Sequence, residues 1–184
     1  MPLSVNDFAD QADNRLFRNI KSQRWEELDW NLVNTRDRYG NTPLHAALGY
    51  GAPDSVLLRL LDLYPHATKM PGTDDWLPLH VAAMWGASAP VVERIIRVYP
   101  EALDDRGQGG IKGKSPRHLG VRFPHIKALV ERPTAEWLAI IAGEQLENRM
   151  PTKGDFMDYG SAPVAKKTRF MDICVEASMS IENI

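Results

Sequence analysis

The stretch NTPLHAALGYG at residues 41–51 returns 35 positions later as WLPLHVAAMWG. Aligning Pro43 with Pro78 also places Leu44 on Leu79, His45 on His80, Ala47 on Ala82, Gly51 on Gly86, Val56 on Val91, Tyr64 on Tyr99 and Pro65 on Pro100. So many matches at one offset exclude chance and make the chain modular. A weaker copy, GKSPRHLG at residues 113–120, follows 38 residues after the second, with the extra length in the loop that holds Gly107, Gly109 and Gly110. It runs on to Ile126, Leu129 and Val130 with a shortened middle. A unit of this size cannot cover its own apolar face, so it stacks on a neighbour, and such a period is the mark of a solenoid.

Each copy reads as helix, turn, helix. Thr42 is a good N-cap, and Pro43 suits the first helical position, where its missing N–H leaves nothing unsatisfied. Leu44, Ala47 and Leu48 make a short apolar stripe, and Gly51 supplies the left-handed residue that ends the helix. A second helix is expected from about Asp54 to Tyr64, stopping at Pro65. Its inward face is Val56, Leu57, Leu60 and Leu61, matched in the next copy by Val91, Val92, Ile95 and Ile96. Upstream, Phe8, Ala12, Leu16 and Ile20 recur at a spacing of four, and a further helical segment is expected around Trp25, Leu28 and Leu32. Downstream, Thr134 is expected to cap a helix whose Trp137, Leu138, Ile141, Ala142 and Leu146 cover the open face of the third copy.

The run TPLHAA at Thr42 to Ala47 matches the pattern T-P-L-H-x-A at every fixed position. On these residues the chain resembles the ankyrin-repeat family over roughly residues 12–132. Two positions depart from that pattern: Leu77 replaces the capping Thr in the second copy, and the second helices end in Leu-Tyr-Pro and Val-Tyr-Pro rather than a Gly-Ala turn. The resemblance implies an all-α ankyrin-repeat solenoid with N- and C-terminal capping helices over residues 1–150. Its expected divisions are a divergent first repeat at 5–36, repeats at 37–72 and 73–109, a short repeat at 110–132 and a closing helix at 133–150. Residues 151–184 lose the periodicity and mix Gly, Pro, Lys and Asp with isolated Phe156, Tyr159, Phe170 and Ile173, the composition of a flexible tail or one ordered by a partner.

Composition narrows the setting. With 43% hydrophobic residues the chain can bury a core, while a formal net charge of -2 provides no overall basic field for nucleic acid. Cys174 is the only cysteine, so no intrachain disulfide or multi-cysteine zinc site forms, which suits a reducing compartment. No apolar run approaches the ~20 residues that span a bilayer. The opening MPLSVNDFADQADN lacks a signal peptide's apolar core, and Asp7, Asp10 and Asp13 argue against a transit peptide. The expectation is an intracellular protein, cytoplasmic or nuclear.

Catalytic patterns are thin. His45, His80 and His118 sit in separate copies about 8–10 Å apart at helix-packing distance, too far to share one zinc ion whose ligands each lie about 2.0–2.1 Å from it. The resemblance implies instead that each fastens its own turn by hydrogen bonds. His66 and His125 have no acidic or Cys partner at ligand spacing. No GxSxG, GxxxxGK[ST] or HExxH motif occurs, and Gly107-Gln108-Gly109-Gly110 follows no strand signal, which reads as a joining loop. Asp74-Asp75 and Asp104-Asp105 are expected as solvated turn carboxylates with nothing to split their pKa values. Cys174 lies near Lys and Arg in the tail and reads as incidental. No enzyme activity, cofactor or metal is expected.

Solenoids bind proteins along the surface made by turn tips and first helices. The resemblance carries this surface onto Arg38, Tyr39 and Asn41 with Gly49 and Tyr50 in the first copy. The second contributes Thr73, Asp74, Trp76, Met84 and Trp85, and the third Ile111, Lys112, Lys114, Arg122 and Phe123. Tyr50, Trp85 and Phe123 share one slot and are expected to form a ladder, with Tyr39 and Trp76 on adjoining turns. Aromatic residues are enriched at binding hot spots. The alternative is that Trp85 and Phe123 fold back as packing. The expected function is a non-catalytic adaptor or scaffold that binds a partner protein there, either as a regulator with exchangeable partners or as a permanent subunit of a larger complex. A second class is a regulatory subunit that inhibits or positions an associated enzyme by occlusion. Nucleic-acid binding through Arg38, Lys112, Lys114 and Arg122 is disfavoured, because Asp74 and Asp75 interrupt the basic stripe and the total charge is negative.

Overall fold

A computed structural model describes residues 14–107 and 113–147, all within Met1–Asn148, the first of the two units into which the chain divides. Asn14 starts the first helix, α1 (Arg15–Lys21), by accepting a hydrogen bond from Phe17 N at 3.2 Å. Its amide donates to Thr35 Oγ1, which ties the entry to the end of the next segment. Leu16, Phe17 and Ile20 are fully buried. Phe8 and Ala12, the other half of that expected stripe, lie outside the described residues. The segment around Trp25, Leu28 and Leu32 is not the helix its pattern predicts but two short 3-10 turns, Trp25–Glu27 and Trp30–Leu32. Two side chains explain this correction: buried Asn19 donates to Glu27 O at 2.6 Å, a carbonyl a continuous helix would keep for itself, and Asp29 accepts from Asn31 N.

The two strong copies fold as their residues dictate. Pro43 and Pro78 open α2 (Pro43–Gly49) and α4 (Pro78–Trp85), with α3 (Asp54–Leu63) and α5 (Ala89–Val98) following. Pro65 and Pro100 cannot continue an α-helix, and each instead begins a 3-10 turn, Pro65–Lys69 and Pro100–Leu103. The third copy is shortened, with α6 (Pro116–Gly120) and α7 (Pro124–Glu131). The last element is α8 (Thr134–Glu147). No strand occurs among the described residues.

Helices α1, α2, α4 and α6 pack in series as one layer, and α3, α5 and α7 in series as a second. Ala47 and Ala82 are fully buried, small enough to let successive first helices approach. Behind them Val91, Val92, Ile95 and Ile96 are sealed completely, and Val56, Leu57, Leu60 and Leu61 nearly so. This core holds the turn tips and first helices in a fixed row.

Gly86 shows how tightly adjacent copies meet. It ends α4 at φ +67°, and a Cβ there would come within 2.6 Å of the Phe123 ring. Both the backbone and the ring resist a side chain. Gly86→Ala is expected to destabilise the protein by about 1–3 kcal/mol, read from urea denaturation; an unchanged midpoint would show that Phe123 does not pack on this glycine.

The closing helix differs from its expectation in two ways. Thr134 is not an N-cap but the first residue of α8, and its hydroxyl donates to Asp104 Oδ2 at 2.7 Å. Arg117 reaches the same carboxylate through Nε at 3.0 Å and also donates to the carbonyls of Val130 and Arg132. Hydrogen bonds from Arg117 first and Thr134 second hold the Asp104 carboxyl below the usual range. Asp104 is therefore a fastener of the C-terminal end and not merely a solvated turn carboxylate. Second, the helix packs across α5 and the Pro100–Leu103 turn. Of its expected stripe only Trp137 is buried, Ile141 is half-buried, and Leu138, Ala142 and Leu146 are exposed. Residues 148–184, including Cys174, lie outside the described residues.

Candidate functional site

The site grows from two turn tips of the same construction. In the first, Asp37 N–H donates to Asn41 O and Gly40 N–H to Asp37 O; in the second, Gly72 N–H donates to Trp76 O and Asp75 N–H to Gly72 O. The register is again 35 residues. The Asp37 carboxylate stiffens its tip by accepting from Tyr39 N and Asn41 N, both at 2.9 Å. Asn41 then ties one tip to the other: its Oδ1 accepts from Thr73 N at 2.9 Å and from the Thr73 hydroxyl at 3.1 Å, while its amide donates to Asp37 Oδ2. In the second tip Asp74 and Asp75 stand at φ 58° and 56°, where Gly40 stands at 83° in the first. Asp tolerates this left-handed region better than most side chains but not freely.

His45 locks the second tip from beneath. Its Nε2 lies 2.8 Å from Trp76 O, so that nitrogen carries the proton and donates, leaving Nδ1 to accept from Thr42 N–H and the Thr42 hydroxyl. His80 repeats the device, accepting from Leu77 N at Nδ1 and donating from Nε2 to Asp105 O at 3.1 Å. Each histidine thus fastens its own turn and the next one as well. His118 meets Ser115 Oγ at 2.8 Å within its own turn.

This arrangement makes stability depend on pH. Burial is the largest influence on His45 and pushes it down to about 4 from an ordinary 6.5, against the raising effect of the bond to Trp76 O. Burial also lowers His80, opposed by Asp105. Between pH 6.5 and 4 the unfolded chain therefore takes up a proton that folded His45 refuses. Its contribution is complete above pH 6.5 and falls as the pH drops, by about 2 kcal/mol at about pH 5. Urea midpoints at neutral pH and about pH 5 measure the loss, and His45→Gln should flatten it. Equal midpoints in the wild type would contradict a buried neutral imidazole.

Between the tips and the ends of α2 and α4 lies an open cleft of about 500 Å³. The predicted residues Tyr39, Asn41, Gly49, Tyr50, Thr73, Asp74, Trp76 and Trp85 all line it. Trp85 is 66% exposed, Tyr39 57% and Tyr50 43%, while Trp76 is half-buried with its ring stacked on His80 at 5.7 Å. Arg38 stands outside the lining, its guanidinium 4.7 Å above the Tyr39 ring.

The remaining predicted residues do not join this cleft. Phe123 is half-buried against Gly86, and Arg122 lies over its ring at 4.8 Å while donating to Met84 O. The three-rung ladder is thus corrected to two exposed rungs, Tyr50 and Trp85, with the third used in packing. Lys114 is exposed apart from the cleft, and Ile111 and Lys112 lie outside the described residues. Lys21, Asp37, His45, Ala46 and Val81 line the cleft without having been expected there. Asp37 was findable, since it stands 35 residues before Gly72 at the start of the equivalent tip. Lys21 comes from the divergent first element, which has no repeat register to read.

Most polar groups of the cleft are engaged with one another: Asp37 with its turn, Asn41 with Thr73, His45 with Trp76 O. What it turns outward is ring surface together with the exposed Lys21, Thr73 and Asp74. Among the described residues no group of three or more His, Cys, Asp or Glu is placed to hold a metal ion, and no helix is long and apolar enough to cross a membrane. No protein-family model matches this chain, and a search of curated proteins finds no match.

Proposed function

We propose that the chain is an ankyrin-repeat protein whose role is non-catalytic recognition: an adaptor or scaffold subunit that binds a partner protein through the face formed by its turn tips and first helices. The observation that carries this reading is the cleft itself, with Tyr39, Tyr50 and Trp85 exposed on a surface braced from below by a sealed core. Large exposed rings that share one cleft are the composition of a binding hot spot, and a rigid support spares the partner the ordering entropy of a mobile surface. The serial packing of helix pairs and the paired histidine fasteners support the family reading alongside the TPLHAA motif.

The test is to purify the tagged protein gently from its native source and compare it with a Trp76→Ala/Trp85→Ala variant. A stoichiometric partner that co-elutes with the wild type and is lost from a variant with an unchanged circular dichroism spectrum is the expected result. Equal recovery with both would move binding away from this face. A wild type that runs alone would remove the permanent-subunit version and leave the transient adaptor.

A further inference from the structure

Resting on the reading of the cleft as the docking face, we infer that it receives a cationic side chain, an arginine or lysine presented by a peptide segment of the partner. The first ground is the charge of the lining. Among the lining residues Asp37 and Asp74 stand against a single cation, Lys21, with Arg38 over the Tyr39 ring beside them, while His45 is held neutral by burial, its Nδ1 accepting from Thr42 N–H. Acidic peptides and phosphate backbones meet two carboxylates and one cation in this lining.

The second ground is the rings. Several aromatic faces of this molecule take cations from their own chain: Arg59 lies 4.4 Å over half-buried Trp30, Arg122 covers half-buried Phe123, and within the cleft Arg38 covers Tyr39. No such cation covers Tyr50 or Trp85 among the described residues. Two exposed rings with negative faces and no internal cation suit a guanidinium or ammonium group from outside, which gains most where the site is partly desolvated.

The third is Asp74. Its side chain makes no hydrogen bond or ion pair with another described residue, whereas Asp37 at the other tip is used within its turn. A tip kept in the left-handed region thus holds a carboxylate at the rim beside the rings, where it can add a charge-assisted hydrogen bond to the ring contact. A cleft of about 500 Å³ has room for one long side chain and its neighbours.

The experiment selects random phage-displayed dodecapeptides on the full chain, with counter-selection on the Trp76→Ala/Trp85→Ala variant. Selected peptides are then titrated by tryptophan fluorescence against wild type and Asp74→Asn, a substitution that keeps the side chain's size and is itself at ease at positive φ. The expected result is a shared Arg or Lys, with affinity reduced about tenfold or more by Asp74→Asn and by replacing that arginine with neutral citrulline, or that lysine with its acetylated form. Peptides that need the tryptophans but share no cation, or that bind Asp74→Asn equally, overturn the inference and leave the docking face standing. Failure to obtain any tryptophan-dependent peptide removes both.

Discussion

Trp137→Ala is expected to lower the free energy of unfolding by about 3–5 kcal/mol, the range for a large aromatic side chain removed from a sealed core. Trp137 is fully buried, and its Nε1 donates to Leu129 O at 3.2 Å. The guanidinium groups of Arg132 and Arg97 lie 4.7 and 5.8 Å from its ring, and Arg97 continues to Glu144 further along the same helix. Truncation removes the anchor of α8 and leaves the α5 side of the stack facing water. Urea denaturation read by circular dichroism measures the effect. Leu138→Ala and Leu146→Ala are the internal comparison: at 46% and 64% exposure they should each change stability by about 0.5 kcal/mol or less. A result in which Leu146 matters and Trp137 does not would mean that the helix turns its other face inward.

Trp85→Ala should separate binding from stability in the opposite sense. A ring that is two-thirds exposed in the free protein contributes little to the core, so the unfolding midpoint should hold within about 0.5 kcal/mol. Affinity for the partner should fall by at least about 2 kcal/mol, or about 30-fold, if the ring is a hot spot. Phe123→Ala, from the same slot one copy on, should do the reverse: its ring lies on Gly86, so truncation should reduce stability more than affinity. Titration calorimetry and thermal denaturation of the two variants check both halves. A Trp85→Ala protein that melts much earlier than wild type would return this ring to packing.

These contrasts mark where the sequence was legible. The helix starts at Pro43 and Pro78, the left-handed ends at Gly51 and Gly86, and the buried faces of α3 and α5 all follow from short-range rules, and all are present. Most of the cleft was legible too through the family resemblance, which singles out the turn positions Tyr39, Asn41, Thr73, Asp74 and Trp76 that the structure brings into one place. The segment after α1 misled because its apolar spacing suits a helix, yet buried Asn19 takes the carbonyl that a helix needs.

Local chemistry alone therefore dictates the helical character of the strong copies, their length and the inward face of their second helices, because a proline, a glycine and a stripe of aliphatic residues act within one or two turns of chain. Across-copy geometry decides the rest. Trp137 is buried while Leu138 and Leu146 are not, Phe123 rests on Gly86 while Trp85 stands free, and Asp104 is claimed by Arg117 and Thr134. Periodicity ranks side chains by polarity but does not say which neighbour stands within 3 Å. That distance is set only when one copy is laid against the next.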